Sequence, residues 1–314
     1  MPATAVRARS LTKTFGDVIA LDGVDLDLST GSIHGLVGPN GAGKTTLLGL
    51  LLGLSRPTSG TLEVLGASVE QAAGSATGFV DGPGLYPSLT ARQNLSSISS
   101  LRPGLAEAGT VDALLDRVGL ADVADDPVRG FSLGMRQRLG LAAALIGEPQ
   151  LLVVDEPANG LDPAGKRQMH AILCDLAADG VTVVLSSHRM DDLAALCDEV
   201  TLLTAGRVVF TGPLSKLASE SGDLDYRLVT TDPAATRRLA SLVPGLWVEA
   251  DPANARYDDR ALVVRGPEHA VDELVGRLVA SGTAVRELGP VVPPLEAAFL
   301  ALTGSPSDLR QVSA

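Results

Sequence analysis

Nine consecutive residues constrain this chain more than any others: Gly38-Pro39-Asn40-Gly41-Ala42-Gly43-Lys44-Thr45-Thr46. They fit the phosphate-cradling pattern G-x-x-x-x-G-K-[ST], and they sit between the two elements that pattern requires. Upstream, Ser32-Ile33-His34-Gly35-Leu36-Val37 reads as a short buried strand. Downstream, Thr46-Leu47-Leu48-Gly49-Leu50-Leu51 opens an apolar helix. Strand, glycine-rich turn and helix start aim successive backbone N–H groups at one point, where the helix dipole adds partial positive charge. Gly41 and Gly43 keep Cβ atoms out of the curl, and Gly38, Asn40 and Thr46 complete the cradle. In this pattern Lys44 reaches the β- and γ-phosphates of a nucleotide, and Thr45 offers its hydroxyl to Mg²⁺.

Composition narrows the partners. The chain has 314 residues, enough for one large domain plus a smaller one. Its net charge of −12 and its isolated lysines (Lys13, Lys44, Lys166 and Lys216) argue against nucleic acid as a partner. No run reaches the roughly 18–20 apolar residues that span a bilayer. The start, Met1-Pro2-Ala3-Thr4-Ala5, has no signal-peptide core, so the expectation is a soluble protein of the cytoplasm. Cys174 and Cys197 fall on expected helices among apolar neighbours and read as buried free thiols. Of the histidines, His34 reads as a satisfied structural residue in its strand, and His170 and His269 as solvent-facing helix residues.

Further motifs say what kind of machine surrounds the nucleotide. Leu151-Leu152-Val153-Val154-Asp155-Glu156 is a buried parallel strand ending in two carboxylates, followed by Pro157. At that strand end Asp155 can hold Mg²⁺ through water, and Glu156 is the candidate general base for the attacking water. Ser132, in Phe131-Ser132-Leu133-Gly134-Met135-Arg136-Gln137-Arg138, is a candidate N-cap for an apolar helix able to meet an anion.

Taken in order, the loop, the Ser-x-Gly signature, Asp155-Glu156-Pro157, Asn159-Gly160-Leu161-Asp162 and Ser186-Ser187-His188 resemble an ATP-binding cassette ATPase over about residues 5–220. The resemblance implies an α/β fold with a RecA-like core sheet, an antiparallel β subdomain and a helical subdomain at about 82–150. It also implies a head-to-tail homodimer that sandwiches ATP and Mg²⁺. Lys44 of one protomer and Ser132 and Gly134 of the other would close on one γ-phosphate. Asp162 would lie at the interface, His188 would touch the γ-phosphate, and Phe15 would stack on adenine.

Two departures from the common family pattern are informative. Leu133 and Met135 replace the Gly and Gln of the usual signature. Asp81 stands where most transport ATPases carry Gln, a feature similar to the bacitracin- and daunorubicin-type drug-export ATPases. Two unit charges about 4 Å apart repel by about 4 kcal/mol at an effective dielectric of 20, so Asp81 near a polyphosphate needs a bridging metal or water. Either Asp81 contacts the Mg²⁺ shell, or it is a loop acid facing solvent.

Residues 82–130 read as short helices, Thr90–Ser100 and Thr110–Val118, without the long coiled coils of repair and chromosome-organising relatives. The cassette is expected to end at about 220, after a short helix and a polar linker, Ser219–Asp223. Residues 221–314 form a second module. Its strand and helix signals run β-α-β-β-α-β, the ferredoxin-like pattern, with Trp247 and Phe299 as core residues. A closing helix, Pro293 to Gly304, resembles the C-terminal extension of the same drug-export subfamily, which suggests a dimer-supporting or regulatory module. The expected function is that of the ATPase subunit of an exporter, on the cytoplasmic face of the membrane, driving a separate transmembrane permease. The cargo is a drug or antibiotic, with a lipid or polysaccharide as the alternative and a soluble non-transport switch as the rival outside transport.

Overall fold

The computed structural model describes residues 3–101, 110–219, 224–251 and 261–303. They form two compact units that divide between Leu214 and Ser215. The first opens with β1 (Thr4–Phe15), β2 (Val18–Ser29) and β3 (Ile33–Val37), which runs into α1 (Lys44–Leu51). Then come β4 (Ser59–Val64), β5 (Ala67–Ser68), β6 (Ala76–Phe79), α2 (Ala91–Ser100), α3 (Thr110–Arg117) and α4 (Leu133–Ala144). β7 (Leu151–Val154), α5 (Pro163–Ala178), β8 (Thr182–Ser187), α6 (Met190–Leu196), β9 (Glu199–Thr204) and β10 (Arg207–Pro213) complete its order, and α7 (Leu214–Ser219) begins at the division.

One sheet is antiparallel, in the order β2-β1-β4-β5. The other runs β10-β9-β3-β8-β7-β6, parallel except for β10 at its edge. Every residue of β3, β7 and β8 is buried, as near-continuous apolar strands covered on both faces must be. α1 lies between the two sheets. Its Leu47, Leu48, Leu50 and Leu51 join Leu11, Leu21 and Leu28 of the antiparallel sheet to Leu36, Val153 and Val184 of the parallel one. Each such leucine contributes about 2 kcal/mol by leaving water, so the helix that begins at Lys44 is anchored on all sides.

α2, α3 and α4 pack together as the helical part of this unit. α2 starts one residue inside its expected range, behind a capping box formed by Thr90 and Gln93. α4 is pressed against the segment that follows β6. A Cβ on Gly140 would lie 2.4 Å from Cβ of Pro83, so only glycine permits that approach.

The second unit contains β11 (Asp225–Thr230), α8 (Pro233–Ala240), β12 (Trp247–Ala250), β13 (Ala261–Arg265), α9 (Glu268–Ala280), β14 (Val285–Pro290) and α10 (Pro294–Thr303). Its antiparallel sheet has the order β12-β13-β11-β14, the ferredoxin-like arrangement expected from the sequence. Ala270, Val271, Leu274 and Leu278 of α9 and Ala240 of α8 pack on Leu228 and Val264 of the sheet. Residues 220–223 of the expected linker and Gly304 of the expected closing helix lie outside the described residues.

Several expectations are corrected. Trp247, expected in the core, is 64% exposed. It starts edge strand β12, and because side chains alternate along a strand, Val248 takes the core-facing side instead. Phe299 is half-buried. Both cysteines are free, but Cys174 is exposed, because α5 turns Met169, Ile172, Leu173 and Leu176 inward. Cys197 is buried, and burial pushes its thiol pKa up to about 12. His34 is only partly satisfied. Its Nε2 pairs with Oγ1 of Thr201 at 2.9 Å, while Nδ1 has no hydrogen-bond partner among the described residues. Burial pushes its imidazole pKa down to about 4, which keeps it neutral at cellular pH. His269 is exposed, as expected, whereas His170 is not solvent-facing: it is partly buried, with Nε2 3.6 Å from the Asp192 carboxylate.

Candidate active site

Three neighbouring parallel strands, β3, β8 and β7, end at the same edge of their sheet. The loop 38–43 leaves β3, Asp155 and Glu156 leave β7, and His188 leaves β8. The carboxyl edge of such a sheet is where α/β folds bind ligands. Gly43 caps α1 with φ +103°, and a Cβ there would meet the Ala20 carbonyl oxygen at 2.5 Å, so the loop tolerates only glycine at this turn. Lys44 is 6% exposed. Its Nζ donates to the carbonyls of Gly38 at 2.7 Å and Pro39 at 3.1 Å, so the loop holds its own ammonium. Burial lowers the Lys44 pKa, opposed by the charges of Glu156 and Asp155.

Thr45 Oγ1 donates to Oδ2 of Asp155 at 3.0 Å, across 110 positions of sequence. Ser186 Oγ donates to the other Asp155 oxygen and accepts from the Glu156 backbone N–H at 2.9 Å. Glu156 itself has φ +46°, a left-handed conformation that costs a non-glycine residue about 1–3 kcal/mol. Its side chain is held at both oxygens: His188 Nδ1 lies 3.0 Å from Oε1, and Asn159 Nδ2 donates to Oε2 at 2.8 Å. Thr45, Asp155 and Glu156 border a cleft of about 470 Å³ that also takes in Asp81, Gln137 and Asn159. Oε1 of Gln137 is buried without a hydrogen-bond partner among the described residues. Asp81, at φ +59° with Gly82 at φ +98° behind it, borders this cleft and is itself exposed.

Ser132, Gly134, Asp162 and Phe15 are not among the lining residues of that cleft, although Leu133 and Arg136 at the start of α4 are. Ser132 caps α4 through a 3.3 Å bond from the Met135 N–H, and Asp162 caps α5 through a 2.8 Å bond from the Gly165 N–H. The start of α4 rests on the loop before α5: Cβ atoms built on Gly134 and Gly160 would lie 3.4 Å from Leu161 and 3.0 Å from Leu133. Phe15, at the end of β1, is 54% exposed, with the Lys13 ammonium 4.8 Å from its ring centroid. The sequence motifs give no role to Ser186, yet it ties the Asp155 carboxylate to the Glu156 backbone. A hydroxyl in a fully buried strand is the available signal, since a buried hydroxyl needs a partner.

The donor set is one of hard oxygens. The Thr45 hydroxyl and the Asp155 carboxylate stand side by side in a fold that aims backbone N–H groups at the same region, which fits a magnesium ion that keeps most of its waters. A family model described as ABC transporter matches residues 21–159. The chain is 35% identical to the daunorubicin resistance ATP-binding protein DrrA3 of Streptomyces coeruleorubidus over 100% of both chains. It is 37% identical over 220 residues to the bacitracin transport ATP-binding protein BcrA of Bacillus licheniformis, covering 68% of this chain and 72% of that one. Among solved structures, cbiO1 of the Clostridium perfringens ABC transporter complex cbiONQ gives a TM-score of 0.64 at 25% identity, covering 77% of this chain and 96% of its own.

Proposed function

The chain belongs to the ABC transporter family as an ATP-binding, ATP-hydrolysing subunit, and from that premise we propose that it powers export of a drug or antibiotic through a separate membrane permease. One observation carries the site assignment: Thr45, Asp155, Glu156 and His188 are joined in a continuous set of contacts through Ser186 at one sheet edge. In our reading the loop 38–46 and Lys44 hold the phosphates, and Phe15 stacks on adenine with the face that Lys13 leaves open. Glu156 accepts the proton of the attacking water, and His188 steadies Glu156 and the γ-phosphate. Thr45 and Asp155 would hold Mg²⁺, which supplies charge neutralisation at the β- and γ-oxygens.

Asp81 would meet the water shell of that ion from across the cleft. Asp81→Ala is then expected to raise the Mg²⁺ concentration needed for half-maximal turnover by about 10-fold or more, the scale of losing an outer-shell partner. Unaltered Mg²⁺ dependence would take Asp81 out of the site. Ser132 and Gly134, which do not line the cleft of their own protomer, suit a head-to-tail homodimer in which they serve the partner's nucleotide. The start of the twelve-residue α4 is suited to an anion there. Asp162, at the start of α5, would lie at the same interface.

No helix among the described residues is long and apolar enough to cross a membrane. ATP is cytoplasmic, so we place the subunit on the cytoplasmic face of the membrane. The permease would seat on a groove of about 490 Å³ lined by Leu52, Leu54, Val80, Pro83, Leu85 and Ile98. Leu54 there is 69% exposed and the nearby Tyr86 61%, an apolar surface that invites a partner. The antibiotic class of cargo follows the relatives at 35% and 37% identity. Purification from detergent-solubilised membranes of the native host tests the whole reading. A stoichiometric polytopic permease is the expected companion, and an ATPase recovered with no membrane partner would favour a cytosolic switch.

A further inference from the structure

We propose that Asp192 is a positioning residue for ATP hydrolysis, its buried carboxylate holding the His188 loop against Glu156 through the polar partners gathered around it. The proposal rests on reading Glu156 and His188 as the hydrolytic pair, and it extends that site to four residues outside the motifs, Asp192, Lys166, His170 and Arg189.

Asp192 sits in α6, just after His188, with its side chain only 9% exposed. Lys166 Nζ donates to both carboxylate oxygens at 3.3 Å. His170 Nε2 is 3.6 Å from Oδ1, and Arg189 Nε is 3.7 Å from Oδ2. Lys166 and His170 are one helical turn apart on α5, so α5 presents both to the same carboxylate. A buried anion is tolerated only with such partners, and a change at one of them leaves the others uncompensated.

The cluster touches the chemistry at two places. Arg189 follows His188 directly, and its backbone closes a tight turn with Ser187: the Arg189 N–H donates to Ser187 Oγ at 3.0 Å, and Ser187 Oγ donates to the Arg189 carbonyl at 3.3 Å. A small cavity of about 10 Å³, room for one water, is bordered by Glu156, Asn159, Ser186, His188, Arg189 and Asp192 together. Lys166 lies one turn after Asp162, the cap of α5. The carboxylate of Asp192 therefore clamps the helix that begins at Asp162 to the helix that begins after His188. His170 Nε2 and Arg189 Nε still lack hydrogen-bond partners among the described residues, so the clamp has donors in reserve for a small shift.

The test uses the full-length protein and counts turnover per bound nucleotide, so that a loss of folded protein is not read as a loss of catalysis. Asp192→Asn is expected to lower kcat about 10-fold with the ATP Kd within about twofold, and Asp192→Glu to recover most of the rate, as for residues that orient a reacting group. Lys166→Met carries the same expectation if Asp192→Asn folds poorly. The decisive comparison is in a His188→Ala background, followed by single-turnover release of labelled phosphate. There, adding Asp192→Asn should change the rate by less than about twofold, because the group it positions is gone. An unchanged kcat in both variants would overturn the proposal. So would an equal fold-loss with and without His188, which would mark a structural role. A wild-type protein that binds ATP without hydrolysing it is a separate outcome and would overturn the hydrolytic pair itself.

Discussion

Glu156→Gln is expected to slow ATP turnover at least about 10²-fold while leaving ATP bound, the usual scale for losing a general base. The geometry explains why so small a change should matter. Both oxygens of Glu156 already accept hydrogen bonds, one from His188 and one from Asn159, but each carboxylate oxygen has a second lone pair with which to take a proton. Glutamine keeps the shape and gives up that capacity. One of its ends becomes an NH₂ group that opposes either the Asn159 donor or the His188 nitrogen. The Ser186 bond to the backbone N–H at residue 156 is unaffected, so the strained turn should persist and the variant should fold. Phosphate release under saturating ATP, set beside equilibrium ATP binding, checks the prediction. Undiminished turnover would remove Glu156 from the mechanism.

Lys44→Met should act on the other half of the problem, weakening ATP binding about 10- to 150-fold. That range corresponds to losing about 1.5–3 kcal/mol, the contribution of a hydrogen bond to a charged group. Its effect on the nucleotide-free protein should be much smaller. Burial already lowers the Lys44 pKa, which means that the folded state holds the charged form at a cost. Methionine keeps much of the volume and none of the charge, so the Tm without nucleotide should change little even as the Kd for ATP rises. Calorimetric titration and a melting curve on the same preparation separate the two effects. A Kd within twofold of the parent protein would mean that the Gly38 and Pro39 carbonyls keep the ammonium even when nucleotide is bound.

Local sequence carried much of the architecture. The run from Ile33 to Leu51 could only be a strand, a phosphate loop and a helix, because its glycines and apolar residues serve those elements and no others. Ser132 announced a helix start that the structure bears out as a cap, whereas the cap that Asp162 supplies to α5 was not foreseen. The ferredoxin-like second unit followed from the order of its strands and helices, since few ways exist to pair four short strands with two crossover helices. Burial was less legible. Trp247 and Cys174 sit at apolar-looking positions, but an edge strand and a helix each have an outward face, and register decides which residue takes it.

The sequence by itself determined the kind of chemistry available here: a phosphate loop with its lysine, a carboxylate pair at a strand end, and a histidine after another strand. Those signals are local, written in residues that contact their chain neighbours. Only the tertiary structure decided that they meet. Parallel pairing of β3 with β8 and of β8 with β7 brings Thr45, Glu156 and His188 to one edge, although Thr45 and Asp155 are 110 positions apart. The same pairing recruited Ser186, and the packing of α5 on α6 recruited Lys166 and Asp192, which no local pattern marks. The reason is physical. Backbone preference acts over a few residues, whereas the partner of a buried charge is chosen by whatever the packed core brings within about 4 Å of it.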